Sequence, residues 1–325
     1  MNRGGIVAIA ILKRLAGALL LICGASALIY FTIRSAPGNA IDAITPMGTP
    51  PEVQAQLAAD FGLDKGPISG FFSWLAQAVQ GDFGESLVTS PGAPVLEEAI
   101  GAYVSTMVLA IISLFVCIAL ALGLAVLLAE EDPKQQKFTG TLYVLTTAPC
   151  FIVAVFLIEA INRFVQRFID QAGYVPPEWY ALPKATDSVM PMVFAGVVLI
   201  LGDGLFMDTF NSIRSQLNTL KSAQFISAIR SKGARTFPHL ARNMLVPLVS
   251  CFAARLPMVL GGVVIVEYIF TLEGAGYLLL EAARLRDFPL VVGICVLFTV
   301  TVIVVHLIAD LVKAAIDPRE VARGG

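Results

Sequence analysis

Six apolar runs, each about twenty residues or longer, constrain this chain more than any other feature. They fall at 11–33, 103–129, 142–161, 190–213, 245–269 and 290–315. About 20 apolar residues in a helix cross the ~30 Å hydrocarbon core of a bilayer. Backbone at that depth must satisfy its own polar groups, so only helices and closed barrels span it. Barrel strands would alternate apolar and polar residues in short segments. These runs are continuous, and the expected fold is an all-α polytopic membrane protein with six transmembrane helices. Composition agrees: 57% of the 325 residues are hydrophobic and 14% charged, against about a quarter charged in an average soluble domain.

The polar segments divide the chain. Residues 1–33 hold the amino-terminal end and helix 1, and the basic pair Lys13-Arg14 opens the run. Residues 34–102 form a large segment outside the membrane, with Pro37-Gly38, Pro50-Pro51 and an amphipathic stretch carrying Val53, Leu57 and Phe61 at helical spacing. Residues 103–316 hold helices 2–6, and 317–325 form a short tail. Pro149 lies inside the third run and predicts a kink. Elsewhere Glu130-Glu131-Asp132-Pro133 and Pro176-Pro177-Glu178-Trp179 read as turns.

Several chemistries are set aside. The five cysteines, Cys23, Cys117, Cys150, Cys251 and Cys295, lie singly within apolar runs and read as packing groups. Ile22 before Cys23 does not suit a lipidation site. The first run also lacks a small-x-small cleavage pattern, so it reads as an uncleaved anchor. No metal site is expected. No glycine-rich loop followed by Lys-Ser or Lys-Thr occurs, so the chain is not expected to hydrolyse nucleotides or to act as an enzyme.

Basic residues set the expected orientation. With both termini cytoplasmic, that side carries fourteen: Arg3, Lys13, Arg14, Lys134, Lys137, Arg214, Lys221, Arg230, Lys232, Arg235, Arg242, Lys313, Arg319 and Arg323. The opposite side carries seven: Arg34, Lys65, Arg163, Arg167, Lys184, Arg284 and Arg286. Arg255 lies within the fifth run and completes the 22. The segment 34–102 is then extracytoplasmic.

On the cytoplasmic side lies the longest polar interruption of the second half, from Ser222 to Pro247. Ser222 to Lys232 is a helix-capable run, and Gly233 suits the left-handed residue after a helix end. A second short helix is expected from Phe237-Pro238, since proline is tolerated in a first turn. Two short helices joined at a glycine make a knob that either faces anionic headgroups or docks a soluble partner.

The residues of this stretch resemble the cytoplasmic coupling loop of binding-protein-dependent ABC importer permeases, in the dipeptide/oligopeptide/nickel family of the first-permease type. Phe225-Ile226, Arg230, Lys232 and Gly233 match the first half of that loop; His239, Arg242, Asn243 and Pro247 match the second. The resemblance extends along nearly the whole chain. It includes Leu12-Lys-Arg-Leu15, Leu57…Phe61-Gly-Leu-Asp64-Lys65, Gly81-Asp-Phe-Gly84…Ser86, Glu267…Phe270…Gly274-Ala-Gly276, Arg286-Asp-Phe-Pro289 and Asp310…Asp317-Pro-Arg319. Some positions depart from the family pattern. Gly233 to His239 is about one helical turn shorter, Gln224 replaces an acid, Ser227 and Ile229 replace a common Arg and Ala, and Glu273 stands where a proline is usual.

The resemblance implies a type I ABC importer transmembrane domain in a bacterial or archaeal cytoplasmic (inner) membrane. Its implied partners are a second homologous permease subunit, two cytoplasmic ABC ATPase subunits and an extracytoplasmic solute-binding protein, with no nucleic acid. ATP and Mg would sit on the ATPases, with no cofactor in this chain. Loop 215–245 would couple ATPase closure to the pathway through Ala228, Arg230, Lys232, Gly233, His239, Arg242 and Asn243. The implied cargo is a peptide or related small polar solute; a nickel complex or a glutathione-like solute is the alternative within the family. A self-contained secondary transporter would predict repeated halves, and no repeat is visible. A membrane scaffold for a soluble enzyme would not need charges inside its spans.

Such charges are present. Asp203 and Asp208 lie in the fourth run, and Arg255 and Glu267 in the fifth. Ionisable groups within spans usually face the bundle interior and mark pathways. Asp203 and Arg255 each lie about ten residues from the cytoplasmic end, roughly 15 Å deep at 1.5 Å per residue. An Asp203–Arg255 ion pair or shared polar lining is therefore expected. Asp203, Arg255 and Glu267 are the candidates for the translocation path, and Asp208 reads as solvated near the interface.

Overall fold

The computed structural model describes residues 3–35, 45, 49–60, 66–128, 133–172, 190–233 and 235–316. Pro37-Gly38, Phe61 to Lys65, the turn at Glu130 to Asp132, the Pro176-Pro177-Glu178-Trp179 turn and the 317–325 tail lie outside them, as do the side chains of Phe225, Ala228 and Arg230. Among the described residues every regular element is a helix: α1 (Arg3–Arg34), α2 (Pro51–Asp60), α3 (Pro67–Ala78), α4 (Val95–Leu127), α5 (Pro133–Thr146), α6 (Cys150–Ala172), α7 (Met190–Leu201), α8 (Leu205–Ser222), α9 (Gln224–Ser231), α10 (Phe237–Phe270), α11 (Ala275–Leu285) and α12 (Phe288–Ile316).

Four of the expected spans are continuous: Leu12–Arg34 within α1, and α4, α10 and α12. The other two are broken. The α5 and α6 segments meet at 90° across Pro149, where the sequence placed a kink, and α7 and α8 meet at 55° across residues 202–204. Counting each bent pair as one span gives six. The stretch after Pro50 is helical over α2, as expected, while the Leu57 side chain and Phe61 of the expected apolar spacing lie outside the described residues.

The chain forms two compact units. The first combines residues 1–106 with 273–304, and the second 107–272 with 305–325. The first unit holds a polar clasp. Asp287 sits immediately before α12, where a carboxylate suits the free N–H groups of a first turn. Its Oδ1 accepts from Leu290 N–H there at 3.5 Å, while Oδ2 gathers donors from a loop two hundred residues earlier: the Ser86 hydroxyl at 2.6 Å and the N–H groups of Leu87, Val88 and Thr89 at 3.1, 3.1 and 3.0 Å. Asp287 is fully buried. Burial alone would raise its carboxyl; the Ser86 hydroxyl and the Thr89, Val88 and Leu87 amides overcome that and hold it below the ordinary carboxylate range. Two stretches that the sequence offered only as separate matches, Gly81…Ser86 and Arg286…Pro289, thus make one site. The loop closes on itself through Ser90 N–H to Ser86 Oγ and the Ser90 hydroxyl to Glu98.

The second unit is organised around α10, which packs on α8, α7 and α6, while α9 packs back on α8. Its core holds Leu205, Met207 and Phe210 from α8 and Leu256, Val259, Val263 and Val266 from α10, all buried.

Candidate functional site

Two features of the second unit carry polar chemistry: the place where the broken spans cross, and the arm that runs from it to α10. At a break in the membrane, helix ends leave N–H and C=O groups without intrahelical partners. Here each break supplies the other. Gly204 N–H donates to Thr146 C=O at the end of α5 (2.7 Å), and Asp203 N–H donates to Ala148 C=O (2.9 Å). In return Cys150 N–H, at the start of α6, donates to Asp203 Oδ1 (3.0 Å). Asp203 is thus an N-cap supplied from another helix. It adopts φ +55°, a left-handed conformation that aspartate tolerates better than most side chains. The approach is close enough to demand glycine at position 202. A Cβ there would lie 2.6 Å from Cys150 Cα.

This crossing corrects the expected Asp203–Arg255 pair. Arg255 bonds Asp208 instead, with Nη1 3.4 Å from Oδ2 and Nη2 donating to the Asp208 carbonyl at 3.1 Å. Matching depths assumed a straight fourth span and a fifth that begins near Leu245. The 202–204 break redirects the chain below Asp203, and α10 begins eight residues earlier, at Phe237. With the chain bent by 55° at 202–204, depths counted along straight spans do not match partners, and Asp208 is an ion-pair partner and not merely a solvated acid. Asp203 and Arg255 therefore belong to one helical unit but to two separate contacts. Glu267 lies near the end of α10 and is 1% exposed, so its carboxylate is a core group of the protomer.

Below the crossing, α8 is two-faced. Leu205, Phe206, Met207, Phe210, Ile213 and Leu217 are buried. Asn211, Ser215, Asn218 and Ser222, spaced at helical intervals, are exposed, and with Arg214 and Thr219 they line an open polar trough of about 600 Å³. Arg214 itself stacks over the Phe210 ring at 5.9 Å.

At Ala223 the backbone turns extended (ψ 138°), and α9 follows at once, seated by the buried Ile226. It ends before Gly233, whose φ of +69° is the left-handed conformation expected there. Lys232 and Gly233 are exposed, as are His239, Arg242 and Asn243 on the first turns of α10. Asn243 donates to His239 C=O at 2.8 Å. Ala228 and Arg230 lie on α9, their side chains outside the described set. The expected second short helix is absent as a separate element: from Phe237 onward the chain is one helix through Pro247 and Pro257. Pro238 is accommodated in the first turn, and Pro247 costs one backbone bond without ending the helix. The loop is therefore a single short helix, a glycine turn and the end of a long span.

Six crossings, two of them broken and mutually capped, with an exposed polar arm at one end, define a polytopic helical transport component. Residues 121–321 match the model of the binding-protein-dependent transport system inner membrane component family. The chain belongs to that family and is a multi-pass inner-membrane ABC importer permease subunit. It is 30% identical over 291 residues to the metal-staphylopine import system permease protein CntB of Staphylococcus aureus, covering 86% of this chain and 87% of that protein. It is 28% identical over 322 residues to the oligopeptide transport system permease protein AppB of Bacillus subtilis (95% and 98% covered). Against the glutathione transport system permease protein GsiC of Shigella flexneri it is 25% identical over 320 residues (95% and 97% covered).

Proposed function

We propose that this chain imports a peptide or a related small polar solute as one of two permease subunits around a shared pathway. Both termini are cytoplasmic, and residues 215–245 seat against one of the assembly's two cytoplasmic ATPases, the second permease engaging the other. A solute-binding protein delivers cargo on the other side. ATP and Mg belong to the ATPases; this chain performs no catalysis of its own. The observation that carries the reading is the arm itself: α8 leaves the 202–204 crossing as an unbroken helix and turns directly into α9, Gly233 and the exposed first turns of α10. Lys232, His239 and Arg242 offer donors for acidic groups or helix C-termini of an ATPase, beside the exposed Asn243; Ala228 and Arg230 on α9 are the other coupling positions. A push on α9 is passed along the continuous α8 to the crossing, where the 55° break at 202–204 supplies element-terminal residues of the kind that absorb a hinge motion.

For the pathway, the polar face of α8 and the Asp208–Arg255 pair supply a lining for a polar solute. Asp203 stands above them, held by Cys150 and exposed on one side, and Glu267 supports packing near the far end of α10. The names of the relatives range from oligopeptides to glutathione and metal–staphylopine complexes, all polar solutes, which supports this class of cargo.

The test is uptake by the reconstituted assembly of both permeases, ATPases and binding protein. Uptake should require hydrolysable ATP inside, persist when ion gradients are collapsed, and be lost with ATPase copurification when residues 224–233 are replaced by a flexible linker. Uptake driven by an ion gradient without ATPase would establish the secondary-transporter reading instead.

A further inference from the structure

We propose that α3 is a membrane-surface anchor: its exposed apolar stripe is immersed in lipid at the boundary of the leaflet where α1 ends. The helix Pro67–Ala78 carries no Asp, Glu, Lys or Arg. At about 100° per residue, Ile68, Phe72, Leu75 and Val79 fall within roughly a 60° arc. Ile68, Phe72 and Val79 are 68%, 63% and 80% exposed. Ser69, Ser73, Gln77 and Gln80 occupy a separate polar side. A third side, with Phe71 and Trp74, packs on α1. The helix thus has one protein-facing side, one polar side and one apolar side largely uncovered among the described residues.

What covers the apolar side follows from where α3 sits. Phe71 meets Tyr30 and Phe31 at ring-centroid distances of 5.6 and 5.5 Å, and Trp74 meets Tyr30 at 5.9 Å and Phe83 at 6.0 Å. Tyr30 and Phe31 are in the last turns of the first span, and the Arg34 guanidinium lies 6.0 Å from the Tyr30 ring centre. A cluster of Trp, Tyr and Phe capped by arginine is the composition that settles at the headgroup boundary. The surface of α1 that leads to it is itself open and apolar, with Leu19, Leu20, Leu21 and Leu28 each 60% exposed or more. The stripe on α3 therefore continues the lipid-facing surface of a span. At 12 residues the helix is about 18 Å long, too short to cross the ~30 Å core, and a two-faced helix of this kind lies in the interface.

The seating of α3 requires neither a particular substrate nor ATPase coupling. Spin labels on single introduced cysteines test it in the complete transporter in lipid nanodiscs. The set is Phe72→Cys, Val79→Cys and Gln77→Cys in a Cys23→Ala background, Cys23 being the exposed native cysteine among the described residues. Collisions with oxygen report lipid, and collisions with a water-soluble nickel chelate report water. Labels at 72 and 79 should collide with oxygen far more than with nickel, and the label at 77 should reverse that order. Nickel access at 72 and 79 would overturn the proposal by placing the stripe in water. Protection from both reagents would overturn it by placing a protein partner there. The two stripe positions are read independently, so a misfolded variant at one leaves the other decisive.

Discussion

Two aspartates, one in each compact unit, hold backbone N–H groups from a distant part of the chain, and they do so very differently. Asp287 is fully buried, and one oxygen takes a hydroxyl and three amides. Asp203 takes a single amide, Cys150 N–H, and remains exposed. A carboxylate saturated with buried donors is expensive to open, because every donor released inside the protein costs roughly 1–3 kcal/mol. One that takes a single amide and the thiol of that same Cys150, with an exposed side, can exchange partners at lower cost. The first is built to stay closed. The second sits where α8 meets the crossing, at the end of the arm that the ATPases would move.

The largest effect should come from Asp287→Asn. The amide cannot accept from four donors as the carboxylate does, and a stability loss of about 3 kcal/mol should appear as a lowered thermal midpoint. The folded carboxyl lies below its unfolded value. Its stabilisation is therefore complete above the unfolded pKa and fades as pH falls through the folded one. Wild type should lose stability on acidification across that window, and Asp287→Asn should lose less. Next is Gly202→Ala: its Cβ would meet backbone at Cys150, a rigid obstacle, and overpacking costs of about 2 kcal/mol are typical. Asp203→Ala should cost about 1 kcal/mol, the scale of a lost helix cap. If it matched Asp287→Asn, the contrast between the two aspartates would be broken. The smallest effect belongs to the half-exposed Arg255–Asp208 pair; a double-mutant cycle with Arg255→Met and Asp208→Asn should return a coupling below ~1 kcal/mol.

The sequence made the six crossings legible because apolar length and helix propensity agree, and Pro149 announced the sharper bend. It concealed the second break in plain view. Gly202-Asp203-Gly204 is a turn signal, but within an apolar run Asp203 reads as a buried charge seeking an arginine. The Arg255–Asp208 pair could not be read because its register depends on that break. On the arm, Gly233 was legible from its chemistry. The continuity of α10 was not, since Pro238 and Pro247 both suggest ends that long-range packing overrides. The Asp287 clasp joins residues two hundred positions apart, and nothing local to either stretch discloses the other.

Backbone hydrogen exchange, read residue by residue in the assembled transporter, compares the two aspartates directly. The amides of Leu87, Val88 and Thr89 report the clasp; those of Cys150, Asp203 and Gly204 report the crossing. Trapping the ATPases in a closed, ATP-bound state should change protection at the crossing and leave the clasp amides equally protected in both states. Unchanged protection at Cys150, Asp203 and Gly204, or opening of the clasp in their place, would contradict the claim that the arm drives the crossing.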